Sequence, residues 1–297
     1  MSAGDILDQA IRIYRENFVA LVTIVAIVTV PLLVIQAVVV GLSLPFAGDF
    51  TTPPDIDSPT LIIAVVIVTI LVSLVAAILG IIQLGALTSF VSERFLGRPI
   101  TVRQAYGNAF RRWLGLLIAA LLLGLAFLGL FLLFFGIIFI PAIAAALTGA
   151  ESDTASAMAG VGFLCLCVLV IPALIAMLYL YTRWTFWTQA IMLESYNSTG
   201  GLGRSWKLVK GSFWRVLGFN LLLGILVYAL SFGVVGAISV TLIFLPSPVL
   251  RFIVQTVFNG LLGVIIAPLQ YATLTVLYYD LRIRKEGFDL QVQMQEP

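Results

Sequence analysis

The sequence predicts an all-α integral membrane protein with six transmembrane helices, and three observations carry that prediction. The first is composition. Of 297 residues, 61% are hydrophobic and 10% are charged, with a mean hydropathy of +1.14. A soluble globular chain carries roughly 25% charged residues, so this one has too few to cover a water-facing surface. The second is the spacing of the charges, which leaves six long uncharged runs at about 17–48, 58–92, 113–150, 154–182, 216–250 and 252–279. One span needs about 20 apolar residues and a hairpin of two needs roughly 40 or more, so each run reads as one helix. The third is the distribution of the cations. Fifteen of the sixteen Lys and Arg residues fall on one side of the resulting topology, and Arg251 alone falls on the other.

The elements follow in order. Before span 1, DILDQAIRIYRENFVAL places Leu7, Ala10, Ile11, Tyr14 and Phe18 at helical spacing, opposite Asp8, Arg12, Arg15 and Glu16. That pattern predicts an amphipathic surface helix, with Ser2 and Asp5 placed as a capping box at its start. Spans 1 and 2 then form a hairpin through FAGDFTTPPDIDSP, which has no Lys or Arg. A second surface helix, TVRQAYGNAFRRWLGL, opens on a Thr101–Gln104 capping box. Spans 3 and 4 follow, joined by GAESDTAS. The third surface helix is GRSWKLVKGSFWRVL, and LPSP joins spans 5 and 6. The runs exceed the ~30 Å hydrocarbon core, so tilt or kinks are expected, with Pro31, Pro141, Pro172 and Pro268 as the natural sites.

The three surface segments align with Ala10, Ala105 and Ser205 in register, at offsets of 95 and 100 residues. That period predicts three pseudo-repeats, each a cytoplasmic amphipathic helix plus a transmembrane hairpin, over about 1–97, 98–197 and 198–290. Residues 1–290 then form one six-span membrane domain and 291–297 a short cytoplasmic tail. The positive-inside rule places both termini in the cytoplasm. MSAGDILDQA begins with acids rather than basic residues and does not read as a secretory signal.

Function is narrowed mostly by what is missing. Histidine is absent, so imidazole bases, His-ligated metals and His-containing triads are excluded. A net charge of +2 is far from a nucleic-acid-binding surface. Cys165 and Cys167 sit in an apolar run and read as small core residues. No ionisable residue falls in mid-span, so ion-coupled transport through a buried carboxylate loses its usual group. No catalytic residue, cofactor or metal site is expected, and no enzymatic activity.

What remains inside the spans is neutral: Gln36, Gln83, Gln189, Asn220, Gln255, Asn259 and Gln270. Gln255, Asn259 and Gln270 fall at about 0°, 40° and 60° around an ideal helix and so form one stripe on span 6. The stripe reads either as interhelical hydrogen bonding or as the lining of a small polar pathway. Arg103, Arg111, Arg112, Lys207, Lys210 and Arg215 form a basic girdle at the cytoplasmic border, a candidate contact for lipid headgroups or a partner.

Two stretches, GDILDQAIRIYRENF before span 1 and LYYDLRIRKEGFDL at the exit of span 6, make the chain resemble a known family. It is similar to the membrane domain fused to some bacterial glycerophosphoryl diester phosphodiesterases and to the stand-alone relatives of that domain. The resemblance implies residence in the bacterial cytoplasmic membrane and a role as membrane anchor or accessory subunit. In the fused proteins the diesterase chemistry belongs to a separate soluble barrel, whose metal-binding acids and histidines have no counterparts here. The expected function is therefore a non-enzymatic accessory, scaffold or lipid-interacting protein. Its partners would be membrane lipids and a membrane protein or a second copy of itself, with no nucleic acid. The alternative is a transporter or channel for a small or amphiphilic solute, using the span 6 stripe.

Overall fold

The computed structural model describes residues 2–47, 59–148, 152–242, 244, 245 and 247–287. Among them the chain is all-α, in ten helices: α1 (Ala3–Glu16), α2 (Phe18–Ala47), α3 (Pro59–Phe95), α4 (Val102–Arg111), α5 (Trp113–Thr148), α6 (Ser152–Arg183), α7 (Trp187–Glu194), α8 (Ser198–Val209), α9 (Phe213–Leu242) and α10 (Pro248–Glu286). Six of these, α2, α3, α5, α6, α9 and α10, are long and apolar enough to cross a membrane. They match the six uncharged runs. The connection centred on residues 48–58, that at 149–151 and the tail at 291–297 lie outside the described residues.

The expected caps form. Ser2 Oγ accepts from the Asp5 N–H while the Asp5 carboxylate accepts from the Ser2 N–H, and Thr101 and Gln104 do the same for α4. These bonds satisfy amide groups that the first helical turn leaves unpaired. The three short helices are shorter than the surface segments drawn from the sequence. Breaks at Asn17, Arg112 and Lys210–Ser212 separate α1, α4 and α8 from the long helices that follow. Phe18, Trp113 and Phe213 therefore open α2, α5 and α9 instead of extending the short helices. Gly211 adopts φ +85 at the third break, a conformation that costs a residue with a Cβ.

The face of α1 also differs from the expected one. Ile6, Ala10 and Ile13 are buried, whereas Ile11 and Phe18 are exposed. The helix is apolar on two sides, and only one packs on the protein. Helices α2 and α5 continue through Pro31 and Pro141. Cys167 is exposed on α6 and not in the core, and the Cys165 side chain lies outside the described residues.

Burial concentrates at one end of the bundle. The core joins Ile6, Ala10 and Ile13 of α1 to Ile82–Val91 of α3, Ala105 and Ala109 of α4, Phe186–Met192 around α7, Leu208 and Val209 of α8, and Ala272–Leu281 of α10. Toward the opposite end the long helices carry exposed Val, Leu, Ile and Phe. A helix of 39 residues such as α10 is about 58 Å long and outruns a ~30 Å hydrocarbon core. The short helices pack around these overhanging ends on the side where Ser2, Gly287 and most arginines lie. Arg251, the lone cation toward the other side, is spent locally, donating from Nε and Nη2 to the Leu245 carbonyl at 2.8 and 2.6 Å.

Tyr106 joins α4 to α2 by donating to the Ile24 carbonyl at 2.6 Å, and burial pushes its pKa up to about 12. The unfolded phenol titrates near 10. Its contribution is therefore complete below pH 10 and is lost as the pH rises toward 12. Tyr106→Phe should cost about 1 kcal/mol at neutral pH and flatten the fall of apparent Tm above pH 10. An unchanged alkaline slope in the variant would refute this assignment.

Candidate functional site

The exit of α10 reads Tyr278-Tyr279-Asp280-Leu281-Arg282, and each polar member is tied to a side chain from another part of the fold. The Tyr278 hydroxyl bonds Glu194 at the end of α7. The Tyr279 hydroxyl shares a 2.6 Å bond with Ser92 of α3, and its ring stacks on Phe95. Asp280 is 2% exposed and pairs with Arg215 of α9 at 2.8 Å and with Arg284 at 3.1 Å. Arg282 approaches Glu194 at 3.3 Å and Glu286 at 3.5 Å.

Arg204 of α8 closes the network. It donates from Nε to Glu194 at 2.8 Å and from Nη2 to Glu286 at 2.7 Å. Burial works against its charge, but the hydrogen bonds and charges of Glu286 and Glu194 outweigh that and raise its pKa above the ordinary arginine value. Acids and arginines that look like solvated span ends in the sequence thus form ion pairs in which Glu194, Asp280, Arg204 and Arg282 are largely shielded from water.

Helix α7 is held from both ends. At its start the buried Ser205 hydroxyl accepts from the Phe186 N–H at 3.1 Å and donates to the Arg183 carbonyl at 2.9 Å. That pair stabilises the break between α6 and α7. It also gives a physical reason for serine at the position aligned with the fully buried Ala10 and Ala105. At the other end Arg112 donates to the Ile191 carbonyl at 2.5 Å and to Ser195 Oγ at 2.7 Å.

Between α3, α4, α7 and α10 lies a cavity of about 650 Å³, lined by polar side chains that include Ser92, Asn108 and Tyr279. Four arginines border it, Arg98, Arg111, Arg112 and Arg282, against two acids, Glu93 and Glu194. Arg111 is exposed, and Arg98 is 65% exposed and only loosely paired with Glu93 at 4.0 Å. The surplus of positive charge, on donors suited to forked hydrogen bonding, fits a phosphate or carboxylate.

The candidate residues distribute unevenly about this site. Arg111 and Arg112 line the cavity. Arg103 on α4, Lys207 on α8 and Lys210 at the break after α8 are exposed elsewhere. Lys285 closes the end of α8 by donating to the carbonyls of Leu208 and Lys210. Arg215 is taken up by Asp280. Arg98, Arg282 and Glu194 were not singled out by the girdle pattern. The YYDLR exit and the acid that ends the uncharged stretch 184–193 are the sequence signals that mark two of them.

The span 6 stripe divides among three surroundings. Gln255 donates to Ser239 of α9 at 3.4 Å, and Asn259 is exposed. Gln270 lines a second, smaller cavity of about 250 Å³, together with Gln189 and several aromatic residues. The Gln189 side chain is 1% exposed, and its Oε1 has no hydrogen-bond partner among the described residues. An unpaired buried amide carbonyl costs roughly 1–3 kcal/mol.

No curated protein matches the chain, and neither does any solved structure. A family model does. Residues 1–281, nearly the whole chain and every described helix but the last turn of α10, match the domain of unknown function DUF7847, and the chain belongs to that family.

Proposed function

We propose that this protein is a non-catalytic accessory subunit of the bacterial cytoplasmic membrane that binds anionic lipid headgroups in the arginine-bordered cavity. The observation that carries the reading is the set of Arg98, Arg111, Arg112 and Arg282 around about 650 Å³ of polar space. An anionic headgroup at this depth would meet forked donors already oriented by the fold, because Arg112 and Arg282 are held by Ile191, Ser195 and Glu194. Arg98 and Arg111 are less constrained and would close on the phosphate. By the positive-inside rule this face, with both termini, is cytoplasmic. The three short helices, each leading into a long one, are read as one duplicated unit, with Ala10, Ala105 and Ser205 as its common buried position. The likeness of the two border stretches to the membrane domain of glycerophosphoryl diester phosphodiesterases agrees with an accessory role.

The test is retention of lipid by the purified full chain. Native mass spectrometry after exchange into phosphatidylglycerol or phosphatidylcholine should find preferential retention of phosphatidylglycerol. Arg98→Gln with Arg111→Gln removes two exposed cations, each contributing ~1 kcal/mol near an anionic surface. The affinity for phosphatidylglycerol should then fall about 30-fold, with phosphatidylcholine unaffected. Equal retention of the two lipids, or full retention of phosphatidylglycerol by the double variant, overturns the reading.

A further inference from the structure

The smaller cavity also lies against α3, α7 and α10, with α5 and α6 in place of α4, but deeper. Gln270 precedes Arg282 by twelve residues on α10, about 18 Å along the helix axis. Helix α7 walls both spaces, with Trp187–Gln189 on the small one and Met192–Glu194 on the large one, and the two share no lining residue.

Two other amide side chains find partners within the protein. Asn220 donates to Thr185 Oγ1 at 2.8 Å, and Asn108 donates to Ser89 Oγ at 3.0 Å. Gln189 differs, since the residue lines the cavity while its buried carbonyl oxygen has no partner among the described residues. A leucine at that position would fill similar volume without the desolvation cost, so a glutamine there calls for a hydrogen-bond donor from a ligand.

The chemistry of the walls narrows that ligand. Among the described residues, no Asp, Glu, Lys or Arg lines the cavity. An ammonium would be buried without a counter-charge, and a phosphate or carboxylate would meet no cation. Trp184, Trp187 and Tyr271 present aromatic surface, which suits the carbon skeleton beside a polar end. Its volume equals about eight waters at ~30 Å³ each, enough for the end of a lipid but not for a whole one. Tyr181, 48% exposed at the border, stands where a chain would leave toward the bilayer.

We propose that this pocket binds the hydroxyl-bearing end of an uncharged membrane amphiphile, a long-chain alcohol or a partial glyceride. The hydroxyl donates to the Gln189 carbonyl, and Gln270 offers an amide N–H to the hydroxyl oxygen. This site is independent of the anionic-headgroup reading, and either can fail without the other.

The experiment uses the full-length protein in detergent and follows apparent Tm together with tryptophan fluorescence, which Trp184 and Trp187 bring to the pocket. Oleyl alcohol should raise Tm and change the emission, whereas oleyl methyl ether, which lacks the donor, should do neither. Gln189→Leu should leave the ligand-free Tm unchanged or higher while weakening oleyl alcohol binding about tenfold. Gln270→Leu provides the same test if the first variant does not fold. Dioleoylglycerol distinguishes the source: a larger shift than with oleyl alcohol assigns the site to glycerides, and a smaller one to long-chain alcohols. Equal shifts from alcohol and ether, a larger shift from oleylamine, or undiminished binding by both variants overturns the proposal.

Discussion

Glu194→Ala is expected to destabilise the protein by about 3–5 kcal/mol, the range for removing one partner from a buried ion pair. The Glu194 side chain is 10% exposed and serves Arg204, Arg282 and the Tyr278 hydroxyl at once. Its loss takes a shared carboxylate from two arginines, 15% and 14% exposed, that also pair with Glu286. The cost is dominated by stranded charge, because the replaced carboxylate does little by itself to repay its own desolvation. Glu194→Gln retains an acceptor for Tyr278 and should cost less than the alanine variant. Apparent Tm in detergent should fall by on the order of 10 °C for alanine, with new proteolytic cleavage near α7. A loss below 1 kcal/mol would mean that water already screens the cluster and that it does not anchor α7.

Gly201→Val should be the next most damaging change, at about 3 kcal/mol. Gly201 is buried on α8, and an added Cβ would lie 2.4 Å from Ile191 Cγ1 and 3.1 Å from its Cδ1. Ile191 is itself fully packed at 1% exposure, so it cannot swing away, and α8 must lift off α7. The better helix propensity of valine over glycine returns only a few tenths of a kcal/mol. Ile191→Ala creates a cavity and is costly alone, but it opens the space that the valine needs. The double variant should therefore be more stable than the sum of the single losses predicts, by about 1 kcal/mol or more in a double-mutant cycle. Strict additivity would show that the contact between α7 and α8 does not set their spacing. Displacing α7 also deforms the wall common to both cavities, so Gly201→Val should weaken both proposed ligand classes together.

Much of the architecture is legible because lipid imposes a simple rule, that a long uncharged run must be a helix satisfying its own backbone. The six runs, the Thr101 and Ser2 caps and the three short helices all follow from local pattern. Helix α7 is different. Stretch 184–193 is uncharged but too short to span, a length that suits a buried core helix or a re-entrant segment, and hydropathy alone merges it with α6. The site was legible only in part for the same reason. Arg111 and Arg112 stand out as cations at a membrane border, but which cations converge depends on how α3, α4, α7 and α10 pack. Arg103, with the same local credentials, faces outward.

The polar stripe on α10 marks the boundary between the two kinds of information. Helical geometry alone places Gln255, Asn259 and Gln270 on neighbouring sides of one cylinder. What each meets is set by its neighbours: Ser239 for Gln255, an exposed surface for Asn259 and a cavity for Gln270. By itself the sequence determined the number and order of the long apolar helices and the sidedness of charge along the chain, because hydration and backbone hydrogen bonding act on each segment independently. Tertiary structure alone decided that Tyr278, Asp280 and Arg282 enter shielded polar contacts with distant segments, and that Gln189 lines a cavity with its carbonyl oxygen unpartnered among the described residues. Pairing and orphaning are properties of side chains brought together from distant segments, and no local pattern encodes them.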